Sequence, residues 1–223
     1  VVTPVVPPAL AALAARVPLA ETTLAVAGRA LRLVHPSNAE ALISEEDFAR
    51  DERLPYWADI WPSSLVLAAR LLEAPPPGRT LLELGCGAGV VAVAAAMAGF
   101  AVTATDYYDD ALAVTAHNVA RHGLDAATRL VDWRAWPADL GRFDVVAAAD
   151  VLYERPYGLL VAAAIDAALA DDGVALVADQ GRVGAEPFVE ACAARGLRVT
   201  GVRADAPDGV SVALRLTVYE VRR

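Results

Sequence analysis

Lysine is missing altogether. The 19 basic residues are all arginine, in an alanine-rich chain, and this reads as base-composition bias of the source genome rather than adaptation to a ligand. Cysteine is nearly missing too: Cys86 and Cys192 are the only two, too few for a secreted disulfide framework or for metal-ligand spacing. His35, His117 and His122 form no spacing that suggests a metal site or a nucleophilic triad, so structural roles are expected for all three and no metal is expected. Positive charge is scarce relative to negative. The net charge of -9 repels phosphate backbones and attracts cations, which argues against nucleic acid and for a cationic or amine-bearing partner. The Pro-broken run VVTPVVPPALAALAARVPLA has no basic residues ahead of it and is a poor signal peptide, so the cytoplasm is the expected compartment. Leu84 to Thr105 carries no charge and is long enough to span a bilayer. Gly85, Gly87, Gly89 and Gly99 interrupt it, however, in the manner of a buried strand, turn, helix and strand, and no membrane partner is expected.

What is present is a large apolar fraction. With 57% hydrophobic and 21% charged residues, a chain of 223 residues buries enough surface to fold alone around one core. The pattern divides it into an N-terminal extension, 1–53, and a main domain, 54–223. In the extension, Thr22 to Val34 alternates on either side of Gly28, which predicts a β-hairpin. The acidic stretch SEEDFARDE reads as a solvated loop. A helix is predicted to start near Pro62. Strand and helix signals then alternate: strand Thr80 to Leu84, helix Ala88 to Ala98, strand Ala101 to Thr105, helix Asp109 to His122 and strand Thr128 to Val131. Strand Phe143 to Ala149, helix Pro156 to Ala170, strand Val174 to Asp179 and helix Glu186 to Arg195 follow. Repeated strand and helix imply right-handed crossovers and a parallel sheet covered on both faces. Leu197 to Arg203 and Val210 to Val221, joined by ADAPDG with no helix between, predict a closing hairpin and hence one antiparallel strand. The expected architecture is a Rossmann-like α/β three-layer sandwich with a seven-stranded, mostly parallel sheet, plus the N-terminal hairpin.

The strongest local signal is LLELGCGAG, a buried strand that ends in an acid and runs into three glycines before a helix. Gly85 and Gly87 allow a sharp turn and close approach of a ligand to the backbone, and the helix start offers free N–H groups. A dinucleotide fingerprint needs its third glycine one position later than Gly89, and Glu83 would repel a pyrophosphate. Glu83 suits a cationic ligand, and S-adenosylmethionine carries both an ammonium and a sulfonium. The next strand ends in Asp106, about 20 residues beyond the loop, where a carboxylate can accept hydrogen bonds from both ribose hydroxyls. At the end of the apolar strand FDVVAAAD, Asp150 and nearby Tyr153 lie where ligands bind in open α/β sheets. There a carboxylate and a phenol can orient an amine for in-line methyl transfer.

In order, ELGCGAG, ATDYYDDAL with Asn118, VDWRAW and AADVLYE resemble the successive motifs of class I, seven-β-strand methyltransferases that use S-adenosylmethionine. Within them the chain resembles the family 16 lysine methyltransferases. PYWADIWPSS is similar to the group that methylates the electron transfer flavoprotein β-subunit. The resemblance covers roughly Leu54 to Arg182. It implies that Trp61 packs on the cofactor, that Gly85, Cys86 and Gly87 line its methionine and ribose, with Glu83 and Gly89 in the same loop, and that Asp106 holds the ribose. It further implies that Asp132 and Trp133 border the adenine, that Ala149 contributes a backbone contact, and that Asp150 and Tyr153 are catalytic. ADQGR resembles that group's Asp-Pro-Gly-Arg with Gln180 in place of proline. Arg182 reads either as a ligand for a substrate carboxylate or as a surface residue. The expected reaction is methylation of a nitrogen, foremost a lysine of a protein partner. A small-molecule amine and a non-catalytic cofactor-binding interaction module are the alternatives.

Overall fold

The computed structural model describes residues 8–43, 55–75, 78–204 and 216–223. After the short helix α1 (Ala11–Ala14), strands β1 (Leu19–Val26) and β2 (Arg29–Pro36) pair antiparallel across Ala27 and Gly28, both of which hold a positive φ. This is the predicted hairpin, extended outward to Leu19 and Pro36. Helix α2 (Pro62–Glu73) begins with proline in its first turn, where a missing N–H costs nothing. The alternating unit follows as β3 (Thr80–Leu84), α3 (Val90–Met97), β4 (Ala101–Asp106), α4 (Asp109–Ala120), β5 (Ala126–Leu130), β6 (Phe143–Ala149), α5 (Arg155–Ala168), β7 (Leu169–Asp179), α6 (Ala185–Ala194), β8 (Arg198–Ala204) and β9 (Leu216–Arg222).

The seven main strands form one sheet in the order β5-β4-β3-β6-β7-β9-β8, in which β9 runs antiparallel to both its neighbours and every other pairing is parallel. Alternation along each strand sorts the core into two layers. Leu81, Val145 and Ala147 face the side covered by α2, α3 and the hairpin residues Leu31 and Leu33. Leu82, Leu84, Val146 and Ala148 face the side covered by Val161 and Ile165 of α5 and by Phe188 and Cys192 of α6. All residues of α3 from Val90 to Ala96 are buried. A helix apolar on every side can only be one enclosed on every side, and VVAVAAA is such a sequence. Among the described residues, no helix is long and apolar enough to cross a membrane.

Most differences from the predicted boundaries are small and have local causes. Helix α3 starts at Val90 instead of Ala88, because Gly89 takes a left-handed conformation (φ 80°) and acts as its N-cap. Strand β7 begins at Leu169, which pairs with Phe143 ahead of a register irregularity, so α5 gives way to strand sooner than its alanine-rich end suggests. Helix α4 ends at Ala120 rather than His122, and β5 is displaced to Ala126–Leu130. The acidic stretch 44–52 and most of the ADAPDG turn lie outside the described residues.

One buried side chain fastens the hairpin to the main layer. The Asn118 amide oxygen accepts the Val34 N–H at 2.7 Å, while its NH2 donates to the carbonyls of Val34 (2.8 Å) and Ala88 (2.9 Å). One turn on, His122 Nε2 accepts the Arg32 N–H at 3.0 Å, so Nδ1 carries the proton and donates to the Asn118 carbonyl. Cys86 and Cys192 are free and buried.

Candidate active site

The strand order reverses between β3 and β6, since β4 and β5 extend the sheet one way and β7, β9 and β8 the other. Open α/β sheets leave a crevice at the carboxyl ends of such a pair. Here that crevice is an open cleft of about 960 Å³ that takes residues from the ends of β3, β4 and β6 and from the segment before α2.

The glycine loop is shaped by the end of β4. The N–H groups of Gly85 and Cys86 both donate to the Thr105 carbonyl at 2.9 Å, and the Gly87 N–H donates to Asp106 Oδ2 at 2.9 Å. Asp106 Oδ1 accepts from Tyr107 and Tyr108 at 2.7 and 3.1 Å, which pins the carboxylate between the loop and the start of α4. Gly85 and Gly87 sit at φ 73° and 52°, and a Cβ on Gly87 would lie 2.9 Å from the Trp57 carbonyl oxygen. No other residue fits there. Gly89 does not line the cleft, and its missing Cβ instead lets α3 pack against Thr115, 2.9 Å from where that atom would stand. Glu83, Cys86, Asp106, Asp132, Trp133 and Ala149 do line it, as does Trp61.

Glu83 is 2% exposed, and its Oε2 has no hydrogen-bond partner among the described residues. Burial, reinforced by the nearby Asp106 charge, pushes its carboxyl well above the usual carboxylate range, against the pull of the Ala92 N–H. A buried carboxylate beside a glycine cradle suits a cation. An aminoacyl ammonium at Glu83 and a ribose near Asp106 match the donor set that S-adenosylmethionine requires. Because the native state keeps the Glu83 proton at pH values where the unfolded chain has lost it, this group makes stability fall as pH rises out of the ordinary carboxylate range. Glu83→Gln removes that slope. At neutral pH the ligand-free variant is expected to melt at a higher temperature than the wild type. Its cofactor affinity should fall at least about tenfold through the lost charge-assisted bond. Thermal melts from pH 5 to 8 and calorimetry check both, and unchanged affinity would remove Glu83 from the binding set.

Asp132 accepts the Arg134 N–H at 2.9 Å as the cap of a short 3-10 turn and pairs with the Arg134 guanidinium, so its carboxylate orders the loop while bordering the cleft. Trp133 packs edge-on to Tyr157 at 5.9 Å between ring centres. Tyr153 stands between Tyr56, at 5.3 Å, and Tyr157, at 4.5 Å, in a wall of aromatic rings. Tyr56 and Tyr157 carried no signal of their own in the sequence, since this wall gathers residues from separate elements.

Asp150 is buried and adopts φ 57°, a left-handed conformation that aspartate tolerates better than most residues. Its side chain is held by a fork from Arg182, with Nε 3.0 Å from Oδ1 and Nη2 3.1 Å from Oδ2, and the Gln180 NH2 also donates to Oδ2. Arg182 is thus the partner of Asp150, a contact that its position in the sequence did not suggest. Its guanidinium lies 4.9 Å above the Trp61 ring, and the Asp150 hydrogen bonds strengthen its hold on its proton. The turn that delivers it is tied by Asp179, whose Oδ1 accepts the N–H groups of Gly181 and Arg182 at 2.7 and 2.9 Å.

The cradle, the switch-point cleft and the sheet order define a Rossmann-like α/β fold with a candidate cofactor site. The chain belongs to the methyltransferase-domain family, whose model matches residues 63–202. Its fold is that of S-adenosylmethionine-dependent methyltransferases of known structure. The chain is 31% identical to a protein-lysine methyltransferase, METTL21E, of Bos taurus, over 46% of this chain and 40% of that protein. It is 33% identical to the electron transfer flavoprotein beta subunit lysine methyltransferase of Danio rerio, over 45% and 40%. Over a shorter stretch, 36% of this chain and 32% of the relative, it is 39% identical to a ubiquinone biosynthesis O-methyltransferase of Caulobacter vibrioides. The matches thus span well under half the length of these relatives. Among solved structures, a 16S rRNA N2 G1207 methyltransferase of T. Thermophilus superposes with a TM-score of 0.66 at 15% identity, over 92% of this chain and 50% of that one. A TehB-like SAM-dependent methyltransferase from Corynebacterium glutamicum gives 0.58 at 19% identity, over 80% and 93%.

Proposed function

We propose that the protein transfers a methyl group from S-adenosylmethionine to an amine nitrogen, foremost the side chain of a protein lysine, with Asp150 and Tyr153 as the catalytic residues. The observation that carries this reading is the Asp150 carboxylate. A carboxylate has about four lone-pair positions, and the bonds from Arg182 and Gln180 take three, so among the described residues Oδ1 keeps one acceptor position at the cleft. One N–H of a neutral amine donated to Oδ1 aims the nitrogen lone pair. The Tyr56, Tyr153 and Tyr157 rings give the alkyl stem an apolar wall and keep water from competing. The bound cofactor supplies a methyl carbon on a positively charged sulfur. With that cofactor bound, the aimed nitrogen would take the methyl as the bonding pair passes to sulfur, and the proton of the resulting ammonium would leave to solvent. On the binding side we assign Glu83 to the ammonium, Gly85, Cys86 and Gly87 to the cradle, Asp106 to the ribose, Asp132, Trp133 and Ala149 to the base, and Trp61 to the opposite wall. The lysine methyltransferase relatives favour a protein acceptor. The O-methyltransferase relative favours a second reading, a small-molecule acceptor.

Incubation with tritiated S-adenosylmethionine and a lysate of the source cell separates the two. Label in a protein band supports the first reading, and label confined to the low-molecular-weight fraction supports the second. A net charge of -9 adds a kinetic expectation. kcat/KM on a cationic protein acceptor should fall as salt rises, because the Debye length shrinks from about 10 Å at 0.1 M to about 3 Å at 1 M. A flat salt profile with unaltered cofactor binding would speak for a small neutral acceptor.

A further inference from the structure

We propose that Arg182 is a positioning residue that cancels the charge of Asp150, so that the acceptor site admits a neutral amine and does not trap its ammonium form. The inference rests on the amine-acceptor reading above. A lysine amine is protonated at neutral pH, its ordinary pKa being about 10.4, and an ammonium has no lone pair with which to attack. A lone buried carboxylate would make this worse, since an anion within about 4–6 Å favours the charged form of an amine by roughly 1–3 pH units. The fork from Arg182 places a full positive charge on the same carboxylate, at 3.0 and 3.1 Å, and leaves Asp150 able to orient an N–H with little net field to hold a proton on it.

Arg182 is braced for this task from two directions. Its backbone N–H and that of Gly181 are fixed by Asp179 Oδ1, and its guanidinium plane is supported by the Trp61 ring. The Asp150 side chain is only 2% exposed, against 31% for that of Arg182, so the carboxylate is the desolvated member of the pair. Among the described residues, buried Asp179 and the phenol of Tyr56 also act on the arginine, and both favour its charged form. Trp61, Asp150 and Arg182 come from the start of α2, the end of β6 and the end of β7, so three elements meet to set one charge balance.

The test uses n-butylammonium as a surrogate for the lysine side chain, titrated at neutral pH into the full chain saturated with S-adenosylhomocysteine. Wild type should bind it weakly. Arg182→Gln should bind at least about tenfold more tightly, since one pH unit of favoured protonation is a factor of ten. Arg182→Lys, which keeps the charge, should stay near wild type, and Arg182→Gln combined with Asp150→Asn should lose the gain. Arg182→Met serves if the glutamine variant folds poorly. On the acceptor labelled in the lysate, Arg182→Gln should lower KM and kcat together, whereas mere loosening of the site would raise KM. Equal n-butylammonium affinity in wild type and Arg182→Gln, or a gain that persists without the Asp150 charge, overturns the proposal. A wrong acceptor class shows separately, in wild-type labelling that never reaches an amine.

Discussion

Asp150→Asn is expected to lower methyl transfer about a hundredfold, a loss of roughly 2.7 kcal/mol of transition-state stabilisation, while cofactor affinity changes little. Asparagine is the informative substitution because it keeps the shape and tolerates the φ of 57° that an alanine would find strained. What it cannot keep is the acceptor pattern. An amide has one oxygen and one NH2, so whichever way it turns, the NH2 meets a donor from Arg182 or Gln180. The variant loses both the aim of the acceptor nitrogen and the anion that balances Arg182. Single-turnover rates alongside calorimetry separate these effects from binding. Intact turnover would mean that Asp150 only fastens the β6 and β7 ends together.

Asp106→Ala should weaken cofactor binding by roughly 30- to 1000-fold, equivalent to about 2–4 kcal/mol from the lost charge-assisted bonds. Two causes act together. The ribose loses its acceptor, and the N–H groups of Gly87, Tyr107 and Tyr108 lose theirs, so the glycine loop is no longer tied to β4. The variant should therefore also melt at a lower temperature without ligand, which Glu83→Gln should not. Calorimetry showing wild-type affinity in Asp106→Ala would sink the assignment.

How much of this was legible in the chain depended on distance along it. Strands β3 and β6 have the predicted bounds, because TLLEL and FDVVAAA are largely apolar runs closed by glycine or aspartate. Asp106 was legible because a strand end and a glycine loop lie a fixed crossover apart in this kind of sheet. The start of α3 was not, since a glycine in the left-handed region and one in the first helical turn look alike in sequence. The Arg182 fork was out of reach for a different reason. It joins residues 32 apart through two strand ends, and no periodicity or local motif encodes which side chain will be forked. The aromatic wall shares that character, with Tyr56 and Tyr153 meeting only once the segment before α2 folds over the β6 end.

Asn118 makes the hairpin and the cofactor loop thermodynamic dependants of each other. Its amide clasps both edges of Val34 and, from the same nitrogen, the Ala88 carbonyl beside Gly87. Part of whatever steadies Ala88 reaches Val34, and by reciprocity the same coupling free energy acts in the other direction. Cofactor binding should therefore slow hydrogen exchange at the Val34 amide, and Asn118→Ala should abolish that slowing while raising the cofactor Kd. A strand pair that contributes no side chain to the cleft is in this way a lever on its occupancy.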